Sequence, residues 1–91
     1  MSTYRPRITD EDVYTIRAAL TCTIGRDLET LSNTNTSLAA AAIANHIERE
    51  IHLYAKMAMM QGDRRTAEYN VLRWRDQIER LVAAATGAYE I

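Results

Sequence analysis

The chain has little of what would mark it as a catalyst, a secreted scaffold or a membrane protein. Its single cysteine, Cys22, allows no internal disulfide, so nothing ties the fold to an oxidising compartment. One proline and three glycines in 91 residues exclude collagen-like and low-complexity chains. Neither sign of charge dominates. Eleven Lys+Arg against twelve Asp+Glu leave a formal −1, which disfavours a strongly basic nucleic-acid binder. The longest apolar stretch, Leu38 to Ala44, is mostly alanine, stops at Asn45, and falls far short of the roughly 20 residues of a membrane span. The opening Met1–Arg7 segment lacks the apolar run of a signal peptide, so a cytoplasmic location is the expectation. Phosphate-cradling glycine loops, Gly-x-Ser-x-Gly elbows, Cys-x-x-Cys and His-Glu-x-x-His motifs are all missing. As an enzyme the chain lacks parts, and no cofactor is expected.

What the chain has is helical periodicity. With 47% hydrophobic and 25% charged residues it can form one small folded domain, too short for two independent cores. Thr9 as N-cap places Asp12 at N3, a capping-box spacing, and puts Ile8 and Val13 where a hydrophobic staple would sit. Asp10, Glu11 and Asp12 add negative charge where the helix dipole favours it. Val13, Ile16, Leu20, Ile24, Leu28 and Leu31 then recur in five steps over 18 residues, a period of 3.6. Ser32 to Ser37 is a polar uncharged cluster that reads as a loop, with Thr36 or Ser37 capping the next helix. The second helix carries Ala40, Ala44, Ile47, Ile51, Tyr54 and Ala58 at heptad-like spacing.

Gly62-Asp63 could lie inside one very long helix or between two. Phase decides. Continuing the second stripe beyond Ala58 lands on Gln61, Arg65, Glu68, Leu72, Arg75 and Glu79, mostly charged. Restarting at Ala67 gives Ala67, Val71, Trp74, Ile78, Leu81 and Ala85, an apolar stripe. Gly62 suits a left-handed C′ position and Asp63 an N-cap. The expected fold is an all-α, three-helix antiparallel bundle with helices over about 10–31, 38–61 and 64–86. Residues 1–8 form an N-terminal arm, 9–87 the single domain and 88–91 a short tail.

The second helix has more apolar surface than such a bundle needs. Leu53, Met57 and Met60 make a second stripe, and with Ala58 and Met59 its last turns are apolar nearly all round. This predicts an interface at Leu53, Met57, Met59 and Met60 in a homo-oligomer or against a protein partner. The simpler alternative is that the second helix is central in the monomer. Ala18, Cys22 and Gly25 share a small-residue face on the first helix, which the alanine-rich start of the second could approach closely; equally, Gly25 could be a mild kink or a tolerated weak spot. Cys22 is expected to be a small buried hydrophobe.

His46 with Glu50 and Glu48 with His52 stand four apart and could each offer two ligands, but the histidines face about 120° apart around the helix. The pattern gives no metal site, only histidines in helix salt pairs. Most basic residues have acids three or four places away, including Arg64–Glu68, Arg75–Glu79 and Asp76–Arg80. Arg5, Arg7, Arg17, Arg49 and Lys56 have no such partner within an expected helix, and Tyr14 sits one turn before Arg17. Such residues serve either as surface charge and inter-helix bridges or as a grip on phosphate.

Two functions follow. The first is a small non-enzymatic regulator, adaptor or inhibitor of a protein partner, of a kind that phages and mobile elements encode. The second is an oligomeric protein sequestering a phosphate-bearing small molecule, such as a cyclic oligonucleotide, at inter-subunit sites built from Tyr14, Arg17, Arg49 and Lys56. The acidic-capped first helix at Ile8-Thr-Asp-Glu-Asp-Val13, followed by a helical hairpin, gives an architectural likeness to small phage proteins that sequester cyclic nucleotide signals. That likeness lies in size and arrangement, carries no motif and assigns no family. The Trp-x-Gly turn of secreted helical hairpins is missing, since Trp74 stands within Arg-Trp-Arg-Asp.

Overall fold

A computed structural model describes residues 8–87, which form three helices: α1 (Asp10–Ser32), α2 (Ser37–Met60) and α3 (Arg64–Ala85). The arm residues before Ile8 and the tail after Gly87 lie outside the described residues. Each boundary has a local cause. The Thr9 hydroxyl accepts from the Asp12 N–H at 3.1 Å, and the Thr9 N–H donates back to Asp12 Oδ2 at 3.0 Å, completing the capping box. These bonds hold the Asp12 carboxyl below its ordinary pKa. Ile8, by contrast, stays 60% exposed, so the expected staple buries little. Thr36 caps α2 through the Ala39 N–H.

The α2–α3 turn is a Schellman motif. Gly62 takes φ +70°, its N–H reaches Met59 O at 3.0 Å, and the Asp63 N–H reaches Ala58 O at 3.0 Å. Asp63 occupies the N-cap of α3 without a side-chain capping bond there, because its carboxylate turns to α1 instead.

All three apolar stripes face inward. Ile24, Leu31, Ile47 and Ile51 are completely covered, and Tyr54 meets Trp74 edge-to-face at 4.8 Å between ring centroids. Ile16, Leu20, Ala44, Val71, Leu81 and Ala85 complete the stripes at half-buried positions. α2 lies between α1 and α3 and packs extensively on both, whereas α1 and α3 touch much less. This centrality accounts for part of the excess apolar surface on α2. No helix among the described residues is long and apolar enough to cross a membrane.

For α1 the expectation of a buried Cys22 fails, and of the two readings of Gly25 the close helix approach is not the one found. Cys22 is exposed rather than buried. Ala18 and Gly25 are exposed too, and a Cβ added at Gly25 would meet nothing within 4 Å. The small-residue face therefore points to solvent, and the alanine-rich start of α2 does not pack there. The 3.6-residue apolar stripe, with its larger buried area, sets the rotation of α1 and turns the small residues outward.

Candidate functional site

The surplus apolar residues of α2 divide among three directions. Met57 is buried, seven residues beyond Glu50 and so on the side of the helix that faces α1. Leu53 and Met60 point outward at 40% and 56% exposure, sharing that face with the exposed Arg49 and Lys56. Met59, 56% exposed, turns toward α3 instead. There it joins Ala55, Ala67, Val71 and the exposed Leu72 in lining a groove of about 570 Å³ to which α1 contributes nothing. An Arg64–Glu68 ion pair at 2.8 Å and Arg75 stand on its walls. Of the interface expected from sequence, Leu53, Met59 and Met60 are accessible. Leu72 joins them, and it was legible only as the one apolar residue in the rejected phase of α3.

A second cluster ties the three helices together at one end. Arg17 of α1 donates to Gln61 Oε1 at 2.6 Å, to Asp63 Oδ2 at 3.0 Å and to the Tyr54 hydroxyl at 3.3 Å, with its guanidinium 5.3 Å from the Tyr54 ring centre. Asn70 of α3 donates to the same hydroxyl at 2.8 Å. Contact with Arg17 holds the Asp63 carboxyl below its ordinary pKa. The guanidinium is thus used within the fold, as an inter-helix bridge.

Tyr14 and Arg17 do line one cavity, of about 390 Å³, together with Ala18, Thr21, Tyr54 and Asp63. A phosphate entering it would meet the Asp63 carboxylate as well as Arg17. Arg49 and Lys56 stand about 140° and 160° around α2 from Tyr54 and belong to a different surface. One subunit therefore brings Tyr14 and Arg17 together but not the other two. Arg5 and Arg7 fall outside the described residues.

A third cluster was only half visible in the sequence. His46 and Glu50 are i,i+4 neighbours on α2, as their spacing predicts, with His46 Nε2 3.9 Å from Glu50 Oε1. The fold adds Asp27 of α1, whose Oδ2 lies 3.7 Å from the same nitrogen. Burial, and then the neighbouring Asp27, push the Glu50 carboxyl up to about 7. Periodicity marks Asp27 as a charged residue on a helix flank, and only the packing of α1 on α2 shows what it faces. His52 is exposed, and Glu48 pairs with Arg75 across to α3 at 3.3 Å, replacing the Glu48–His52 and Arg75–Glu79 pairs expected from spacing. The predicted Arg64–Glu68 and Asp76–Arg80 pairs are formed.

No known family model, curated protein or solved structure gives a significant match to this chain.

Proposed function

We propose that the chain is a non-enzymatic, cytoplasmic protein-interaction module that self-associates through the α2–α3 groove and acts as a regulator, adaptor or inhibitor of a protein partner. The observation that carries this reading is the groove itself. Its apolar floor includes Met59 at 56% and Leu72 at 70% exposure, between walls carrying charges of both signs. Unbranched methionine adapts to the shape of an incoming helix, and exposed large apolar residues gain by being covered. A second copy can offer the same pair of helices in return, giving a self-complementary two-fold interface. Leu53 and Met60 lie on another face and remain free for a different protein, in the manner of helix-on-helix recognition.

Native mass spectrometry on the purified chain tests this directly. A homo-oligomer of unmodified mass is expected, and Met59→Glu combined with Leu72→Glu should return it to monomers with the helical circular dichroism signal intact. A wild-type monomer would overturn self-association through the groove. An oligomer carrying extra mass that is lost on denaturation would instead favour the sequestering function.

A further inference from the structure

We propose that Asp27, His46 and Glu50 form a binding site for a divalent transition-metal ion of the zinc type, bridging α1 and α2. One nitrogen and two carboxylate oxygens, drawn from two helices, lie within 4.8 Å of one another. The separations of 3.7 and 3.9 Å from His46 Nε2 to the two oxygens are too long for hydrogen bonds. They approach the distance of about 3.4 Å between two ligands sharing a tetrahedral ion at 2.0–2.2 Å. Exposed His46 and the two carboxylates would have to draw together to close the difference.

The two oxygens supply an independent indication. Asp27 Oδ2 and Glu50 Oε1 are both inaccessible to solvent, and neither accepts a hydrogen bond from any donor among the described residues. The Glu50 side chain is only 11% exposed and that of Asp27 25%, so water does little to satisfy them. Buried carboxylate oxygens are ordinarily paired with a donor or a cation. No lysine or arginine forms an ion pair with either carboxylate among the described residues. A divalent ion placed between them would satisfy both oxygens and cancel their mutual repulsion.

The donor set also selects the class of ion. An imidazole with two carboxylates suits zinc and its first-row neighbours better than magnesium or calcium, which favour all-oxygen shells. Three protein ligands leave a fourth position, and the 64% exposure of the His46 side chain places it toward solvent. A water or a ligand from another chain can fill it. The i,i+4 pair fixes two donors on one rigid turn, and Asp27 supplies the third from the neighbouring helix. An ion there would clamp α1 to α2.

The test uses the whole chain, stripped of metal with a chelator and titrated with Zn²⁺ by calorimetry and thermal melting, with Co²⁺ absorbance as a report on geometry. One equivalent per chain is expected to bind. At a hundredfold excess over Kd the melting temperature should rise on the order of 10 °C. His46→Ala changes an exposed side chain, so it should melt like the wild type without metal and lose the response. His52→Ala, at an exposed histidine outside the cluster, should keep it. Failure of Zn²⁺, Co²⁺, Ni²⁺ and Mn²⁺ to bind the wild type would overturn the proposal, as would a response that survives His46→Ala.

Discussion

Replacing Arg17 with methionine isolates the contribution of the bridge that joins α1 to the α2–α3 turn. Methionine keeps an unbranched apolar stem over the Tyr54 ring and removes the guanidinium with its three hydrogen bonds. A hydrogen bond to a charged group contributes about 1.5–3 kcal/mol net. Three features lower that figure here. The Asp63 side chain is 37% exposed and rehydrates when abandoned, and the Tyr54 hydroxyl keeps its bond from Asn70. Arg17 Nε is buried without a partner, so its removal returns some stability. The expected net loss is about 1.5 kcal/mol, a fall of roughly 6–12 °C in melting temperature for a domain of this size.

Urea unfolding followed by the fluorescence of Trp74, buried at 4% exposure, measures the difference. Its pH dependence gives a second check. Arg17 lowers the Asp63 pKa in the folded chain, so the part of the stabilisation that comes from this pair is fully present above the ordinary value of 3.8. It is lost as pH falls through the depressed folded value. The gap between wild type and Arg17→Met should therefore narrow in strong acid, where the bonds to Gln61 and Tyr54 remain. Equal stability at neutral pH, or a gap that persists undiminished in acid, would refute the reasoning.

Two glycines should respond in opposite directions. Gly25→Ala adds a methyl group to open space within a helix and should stabilise by about 0.5–1 kcal/mol in thermal melts. Gly62→Ala also meets nothing within 4 Å, yet at φ +70° it should destabilise by about 1–2 kcal/mol in the same assay. In metal-free protein the raised Glu50 pKa means the folded state holds a proton that the unfolded chain has released. Stability should therefore fall as pH rises from the ordinary 4.5 to about 7, then level off. Glu50→Gln should remove that slope and be more stable at alkaline pH by roughly 1–2 kcal/mol, after allowance for solvent at the open side of the cluster; urea melts across pH would show a parallel slope if this were wrong.

The fold was legible because its determinants are local. Thr9 with Asp12, Thr36, Gly62 and three stripes at helical period each act within a few residues, and helix boundaries differ from the expected ones by at most one residue. Side-chain surroundings are set by packing between helices and were less accessible. Cys22 is expected inside because it is a small apolar residue, but bulkier Ile24 and Leu28 determine which face of α1 turns inward. Arg17 was identified by its want of a neighbour in sequence, and its partners prove to be 37 to 46 residues away. Asp27 gave no signal in the sequence, because its nearest functional groups belong to α2. The Met59–Leu72 groove joins two apolar residues that lie outside the stripes of α2 and α3.

The position of α2 between α1 and α3 makes the bundle a series rather than a closed ring. In a ring each element has two neighbours and the loss of one contact is shared. In a series the two ends depend more on the middle than on each other. Detaching α1 leaves a hairpin whose Schellman turn and Tyr54–Trp74 pair are intact, whereas disrupting α2 leaves two helices with little in common. Damage in Ile47 or Ile51 should spread through the whole domain, and damage confined to the far flank of α1 or α3 should stay where it falls. Sequence tolerance along the chain would then follow that hierarchy, with the outer helices free to diverge and the middle one held.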